Sequence, residues 1–273
     1  MAEQTNISWC DSTFSPWEGC TKVSPGCAHC YAGTRNKRWN KTAINWGPGA
    51  PRQRRSEHYW KQPLKWNKQA GLTESRPRVF CGSLCDWLDD EVPIEWLADL
   101  LDLIRATPHL DWLLLTKRPH AFDVRMENAL VHTGMDTRYW LQDWSRDAPP
   151  HNVWIGTTTE DQHRADQRIP ALLDIPAGIR FLSCEPLLEA LDLSGYFGGP
   201  HVGLPGDVIL PNYNFGIDWL ICGEETGPRA RVMKPEWALS LRDQCAAASI
   251  PFFFKQEGNR RTLDGETHHN FPS

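Results

Sequence analysis

The stretch VFCGSLCDWLDDEVPIEWLADLLDLIRATPHLDWLLLT, residues 79–116, decides the fold. It begins and ends with short apolar runs, residues 79–83 and 112–116, and residues 93–106 between them carry apolar side chains at helical spacing. A strand, a helix and a second strand in this order predict a βαβ unit, in which the two strands run parallel.

The same alternation continues along the rest of the chain. Strands are predicted over residues 153–157, 180–183, 219–222 and 252–255, with one more inside 7–14. Helices are predicted over residues 119–131, 161–173 and 235–248, and the Gly-, Pro- and Asp-rich stretches 133–151 and 194–214 are predicted as loops. The sequence therefore predicts an α/β protein, a partial (β/α) barrel of six to seven mostly parallel strands, built as a single domain over residues 1–273.

Polar and ionisable residues follow every predicted strand. In a parallel barrel these positions share one face, where functional sites lie. We therefore expect a shared ligand site there. Its candidates at the strand ends are Ser83, Cys85, Asp86, Lys117, Thr157, Cys184, Glu185, Gly223 and Glu224. Lys117, with Arg118, is a candidate to hold a carboxylate or phosphate.

Three cysteines, Cys20, Cys27 and Cys30, lie in the N-terminal loop GCTKVSPGCAHCY, residues 19–31. Thiolates at this spacing suit either zinc or an iron–sulfur cluster. A zinc site would need a fourth ligand such as His29, whereas a cluster held by three cysteines leaves one iron open to a cofactor. The polar strand ends favour the cluster.

Composition limits the setting in which the chain acts. Residues 1–8 lack the apolar core of a secretory signal, and no apolar run is long enough to span a membrane. The nine cysteines are therefore expected to stay reduced in the cytoplasm, which favours metal or redox chemistry over disulfides.

A basic, aromatic-rich insertion is predicted over residues 33–69. It holds ten Lys/Arg and one acid, which gives a formal charge of +9. Because the whole chain has a net charge of −5, the remaining residues carry −14. Basic and aromatic side chains together suit phosphate contact and base stacking. The nucleic-acid candidates are Arg35, Arg38, Arg52, Arg54, Arg55 and Trp60. The alternative is a solvated loop whose tryptophans cover the side of the barrel.

Several stretches carry a resemblance to known proteins. They are FSPWEGCTKVSPGCAHCYA (14–32), VFCGSLCDWLDDEVP (79–93), LLTKRP (114–119), WIGTTTEDQ (154–162), FLSCEPLL (181–188), DWLICGEETGPRAR (218–231) and PFFFKQEG (251–258). With these stretches the chain resembles a phage and prophage family of unassigned function named for its three-Cys motif. The three-Cys loop and partial barrel also resemble the radical S-adenosylmethionine enzymes, although six residues, not the usual three, separate Cys20 from Cys27.

The resemblance implies a cofactor and roles for the candidate residues. Cys20, Cys27 and Cys30 would ligate a 4Fe-4S cluster that binds S-adenosylmethionine and generates a 5′-deoxyadenosyl radical. The cofactor contacts would be His29, Tyr31, Ser83, Asp86, Thr157, Glu185, Gly223 and Glu224. Cys85 and Cys184 would donate hydrogen atoms, with Lys117 the third catalytic candidate.

The resemblance also implies partners. These are an electron donor for the cluster, a companion protein of the three-Cys-motif family and a nucleic-acid or nucleotide substrate. The rival hypothesis is a non-enzymatic, zinc-stabilised phage protein that binds nucleic acid.

Overall fold

The computed structural model describes residues 5–39, 44–146, 148–197, 216–227 and 229–272. Its strands are β1 Ser12–Phe14, β2 Trp17–Glu18, β3 Gln53–Arg54, β4 Arg78–Cys81, β5 Asp111–Thr116, β6 Val153–Thr158, β7 Ile179–Cys184, β8 Trp219–Gly223 and β9 Phe252–Gln256. Its α-helices are α1 Tyr31–Trp39, α2 Glu57–Trp60, α3 Gln62–Thr73, α4 Ile94–Arg105, α5 Phe122–Leu130, α6 Met135–Trp144, α7 Gln162–Leu173 and α8 Pro235–Ala247.

Seven of these strands form one sheet in the order β1-β4-β5-β6-β7-β8-β9. Every neighbouring pair is parallel, and the sheet curls into a half-barrel. Helices α4, α7 and α8 connect successive strands, as the βαβ prediction requires. The predicted α/β partial barrel is therefore confirmed, and its strands and helices end within a few residues of their predicted bounds.

Strand alternation divides the buried side chains between two cores. On β5, Trp112 and Leu114 belong to the core between the sheet and the helices, whereas Leu113 belongs to the core on the concave face. Because both faces are covered, these strands read as continuous apolar runs.

The concave core is largely aromatic. Its rings are Trp9, Phe80, Trp154, Phe181, Trp219 and Phe253. Trp219 lies near the middle of this group, edge-on to Trp154 with ring centroids 5.9 Å apart. Trp9 comes from the segment before β1 and is 2% exposed. These rings fill the concave side, so open space is left toward the carboxyl ends of the strands.

One predicted loop and the basic insertion contain regular structure. The 133–151 stretch includes α6, because Thr137, Leu141 and Trp144 lie on one helical face and are buried. The basic insertion likewise contains most of α1 and α3, together with β3 and α2, and β3 pairs with β2. Of the 194–214 stretch, residues 198–214 lie outside the described residues.

Gly156 on β6 leaves the space that the Phe181 ring occupies. A Cβ built at Gly156 would lie 2.4 Å from that ring, far inside van der Waals contact. We therefore expect Gly156→Ala to lower the free energy of unfolding by about 1–3 kcal/mol through overpacking. Chemical denaturation would measure it, with Gly178→Ala as the control, since nothing lies within 4 Å of a Cβ at Gly178. Equal stability of the two variants would contradict the tight packing.

Candidate functional site

A cavity of about 380 Å³ lies at the carboxyl ends of the strands, between the half-barrel and the three-Cys loop. The structure brings eleven of the predicted site residues to its wall: Cys20, Cys27, His29, Cys30, Tyr31, Ser83, Cys85, Asp86, Lys117, Glu185 and Glu224. The strand ends at which the shared ligand site is predicted thus line one concave space.

The cysteines of the loop come from two different local structures. Cys20 follows β2 and forms a β-bridge with Trp46. The preceding residue, Gly19, has a φ of +123° and packs against the Asn45 carbonyl. A Cβ at position 19 would lie 2.4 Å from that carbonyl oxygen. A glycine is therefore needed at position 19. Cys27 ends a 3₁₀ turn, and the Cys30 amide donates to the Cys27 carbonyl at 3.4 Å.

Side chains and backbone from three strand ends hold this loop against the barrel. After β6, Glu160 accepts a hydrogen bond from the Gly26 amide at its Oε1 atom, at 3.1 Å. After β4, the Ser83 carbonyl accepts one from the Tyr31 hydroxyl at 2.7 Å. After β8, Oε2 of Glu225 lies 2.9 Å from His29 Nδ1. The loop is therefore positioned by the chain's own contacts.

Glu225 connects the loop to Arg231. Arg231 donates to both carboxylate oxygens of Glu225 and also to the Pro25 carbonyl at 3.0 Å. Burial alone would raise the pKa of Glu225, but the hydrogen bonds from Arg231 and His29 outweigh burial and lower it to about 2. The sequence analysis did not single out Arg231 as a site residue.

The lowered pKa of Glu225 predicts a pH-dependent contribution to stability. Because the folded-state pKa is below the ordinary value, the contribution is complete above about pH 5 and is lost as pH falls through about 2. We expect Glu225→Gln to lower the free energy of unfolding by about 2 kcal/mol at pH 7. This difference from the unsubstituted protein should disappear at acidic pH. Denaturation at several pH values tests this, with the exposed Glu127→Gln as control; a pH-independent gap would argue against it.

The loop supplies three thiols, the type of ligand that binds zinc and iron–sulfur clusters. All three thiols face one cavity, and the free cysteines form no disulfide among the described residues. Burial raises the pKa of Cys20 to about 12, while Arg118 Nη1, 3.8 Å from its sulfur, acts in the opposite direction. Within the described ranges, no three His, Cys, Asp or Glu side chains form a group that could hold a single metal ion.

Asp86 lines the cavity, but its oxygens already have partners. Thr116 Oγ1 donates to Oδ1 at 2.7 Å, while the Lys117 amide and Arg118 Nη1 reach Oδ2 at 2.9 and 3.1 Å. These hydrogen bonds fix the exit of β5.

Other acids on the cavity wall are also engaged. Glu185 forms an ion pair with Lys255, and each side chain is 17% exposed. Glu224 accepts from the Met233 amide at 3.0 Å and from the Gly258 amide at 2.5 Å. Both acids nevertheless lie on the cavity wall, within reach of a bound molecule.

Three predicted residues do not line the cavity. The Thr157 side chain is fully buried and donates to the Thr116 carbonyl. Because side chains alternate along a strand, the neighbouring Thr158 lines the cavity instead. Cys184 belongs to the core under the helices and lies 3.2 Å from the Thr159 hydroxyl. Gly223 is covered by the side chains of Lys255 and Glu185. The cofactor and hydrogen-donor interpretations of these three residues are therefore not supported by their positions.

The arginines predicted to contact nucleic acid mostly pair with acids of this chain. Arg52 has a fully buried side chain that bonds Asp89 at 2.8 Å, so it does not reach the surface as predicted. Arg35 and Arg55 pair with Glu18, and Arg54 pairs with Asp99 at 2.9 Å.

The aromatic part of that prediction changes as well. Trp60 is 7% exposed and lies under the Arg54 guanidinium, so it packs rather than stacks on a base. Arg38 is exposed beside Trp39, which is 69% exposed. Lys61, Lys65 and Lys68, at the start and along one face of α3, are exposed too and were not selected from the sequence. The exposed positive charge of the insertion therefore includes the predicted Arg38 and three lysines that were not predicted.

Comparison with known proteins gives a family without a function. In the described part of the chain, no helix combines the length and apolar character needed to cross a membrane. No curated protein and no solved structure matches the chain. One family, described as "Protein of unknown function (DUF5131)", matches residues 4–272, and the chain belongs to this family.

Proposed function

We propose that the chain is a radical S-adenosylmethionine enzyme related to phage three-Cys-motif proteins. The observation that carries the proposal is that three cysteines, together with acids and cations, line one cavity at the carboxyl end of a half-barrel. Cys20, Cys27 and Cys30 would hold a 4Fe-4S cluster, and the free thiols suit a reducing, cytoplasmic setting.

The bound groups would supply the radical chemistry. Cys20, Cys27 and Cys30 would hold the cluster, which would supply the one-electron reduction that cleaves S-adenosylmethionine to methionine and a 5′-deoxyadenosyl radical. A separate donor protein would provide the electron. Cys85, a cavity-lining thiol, remains the candidate to give a hydrogen atom to a product radical.

The chain's own residues would position these groups. Glu225, Glu160 and Ser83 fix the loop before anything binds, which reduces the ordering required on binding. Tyr31 and His29 border the same space as the thiols and offer a ring and an imidazole to the adenosyl group. Glu185 and Glu224 offer carboxylate oxygens to ligand hydroxyl or ammonium groups.

Anaerobic purification tests this proposal directly. We expect a brown protein that contains iron and acid-labile sulfide, and that releases 5′-deoxyadenosine from S-adenosylmethionine under reduction. A colourless protein with stoichiometric zinc and no cleavage would support the rival, a zinc-stabilised nucleic-acid-binding protein. A protein that holds neither metal after reconstitution would refute both.

We propose a polyanion, a nucleic acid or nucleotide-containing polymer, as the substrate class. Lys61, Lys65 and Lys68 are exposed, and no carboxylate of the described residues lies within 4 Å of their ammonium groups. The spacing of Lys61, Lys65 and Lys68 places them along one side of α3 and its first turn. Three unpaired cations in a row suit the repeating phosphates of such a polymer.

Replacing these lysines should change the salt dependence of binding. We expect Lys61→Ala, Lys65→Ala and Lys68→Ala together to weaken binding to a short DNA duplex. The slope of log affinity against log salt should fall by up to about 2.7, since each phosphate contact contributes about 0.9. Fluorescence anisotropy at several salt concentrations measures it. Lys234→Ala, Arg260→Ala and Arg261→Ala together give the control, with the same change in charge outside the insertion; equal slopes for the two triple variants would reject the surface.

A further inference from the structure

The cations on the cavity wall differ in how their charge is balanced. Arg118 pairs with Asp86 at 3.1 Å, His29 meets Glu225 at 2.9 Å, and Lys255 pairs with Glu185. Lys22 is exposed, and its ammonium donates to the Ala28 carbonyl. Lys117 is only partly exposed, and among the described residues no carboxylate lies within 4 Å of its ammonium. Lys117 is thus the enclosed cation of this wall whose charge is left unmatched.

The acid that interacts electrostatically with Lys117 is occupied elsewhere. Glu160 accepts from Arg168 at 2.7 Å and from the Gly26 amide at 3.1 Å, and it is fully buried. Its charge is therefore largely balanced by Arg168. A partly desolvated ammonium without a counter-ion favours the binding of an anionic group of a ligand.

One hydroxyl group contacts this ammonium, and a second lies on the neighbouring strand. Lys117 Nζ donates to Thr158 Oγ1 at 3.1 Å, which leaves the Thr158 hydroxyl hydrogen free to donate in turn. Thr158 of β6 is in register with Ser183 of β7, and both line the cavity. Lys117 directly follows β5, so one ammonium and two hydroxyls form a row across three adjacent strand ends.

We infer that Lys117, Thr158 and Ser183 form a subsite for an oxyanion, the carboxylate or phosphate group of a bound molecule. The row offers one positive charge and two short donors at neighbouring positions, which suits a group with two or three exposed oxygens. Two sources have this chemistry: the methionyl carboxylate of S-adenosylmethionine and the phosphate of a nucleotide substrate. The first source rests on the proposed radical S-adenosylmethionine chemistry, and the second rests only on the proposed substrate class.

Paired ligands that differ only in the anionic group test the subsite. Calorimetry on the anaerobically reconstituted protein would compare S-adenosylmethionine with decarboxylated S-adenosylmethionine, and adenosine 5′-monophosphate with adenosine. For one pair, we expect Lys117→Met to lower the binding affinity of the anionic ligand about 10- to 100-fold. The affinity of the matched ligand without the anionic group should not change. Lys117→Arg should restore most of the affinity, and Thr158→Val should give a smaller loss.

The pair that responds identifies the source of the oxyanion. Loss confined to the first pair assigns the subsite to the cofactor, and loss confined to the second pair assigns it to the substrate. Equal effects of Lys117→Met on both members of each pair, or no binding of any of the four, would overturn the inference. Absence of S-adenosylmethionine binding with a selective loss in the second pair would refute the proposed function and keep the subsite.

Discussion

Cys27→Ala is expected to abolish the iron–sulfur absorbance of the anaerobically purified protein and its release of 5′-deoxyadenosine. Cys27 ends the 3₁₀ turn whose backbone also positions Cys30, and both thiols line the cavity together with Cys20. A cluster held by three cysteines has no fourth protein ligand to replace a lost one. The effect should therefore be complete rather than partial.

Cys245→Ala is the matched control for this substitution. Cys245 lies on α8 in the core under the helices and is not part of the cavity wall, so its variant should keep both colour and cleavage. Circular dichroism would verify that both variants are folded. Retention of iron, sulfide and cleavage by Cys27→Ala would remove Cys27 from the ligand set and leave the three-Cys proposal without support.

Arg52→Ala is expected to lower the free energy of unfolding by about 3–5 kcal/mol. The Arg52 side chain is fully buried, and besides Asp89 it donates to the Ala50 carbonyl at 2.7 Å and to the Thr21 hydroxyl at 2.8 Å. Its removal would leave Asp89, also fully buried, without its closest counter-ion. Chemical denaturation measures the loss.

Arg38→Ala separates this structural role from surface charge. Arg38 is exposed, and no carboxylate of the described residues lies within 4 Å of it, so its stability change should stay within about 0.5 kcal/mol. Both variants remove one positive charge from the insertion. Loss of DNA affinity by Arg52→Ala without loss of stability would reverse our assignment of Arg52 to the interior.

Much of the fold was predictable because it depends on local patterns. A short window of sequence is enough to show the apolar runs of β5 and β8 and the helical spacing of apolar residues in α4. The position of the cavity followed as well, since parallel strands bring their carboxyl ends to one face. Eleven predicted residues therefore reached the cavity wall.

The predicted residues that the structure places away from the cavity or the surface share a physical cause. Thr157 and Thr158 are adjacent and chemically identical, and only the phase of β6 decides which one faces the cavity. Arg52 was chosen from a run of basic residues, but its partner Asp89 lies 37 positions later in the sequence. Such pairing depends on tertiary structure, so charge counts along a segment cannot distinguish a buried ion pair from a binding surface.

The aromatic concave core also affects the order of events in turnover. Trp9, Phe181 and Trp219 fill the concave face of the half-barrel, and the cavity lies at the carboxyl ends of the strands. A molecule bound against these rings would be covered by a second one bound nearer the strand ends, so the deeper molecule would arrive first and depart last. Steady-state measurements with product inhibitors should accordingly show a compulsory-order pattern, in which the outer ligand traps the inner one.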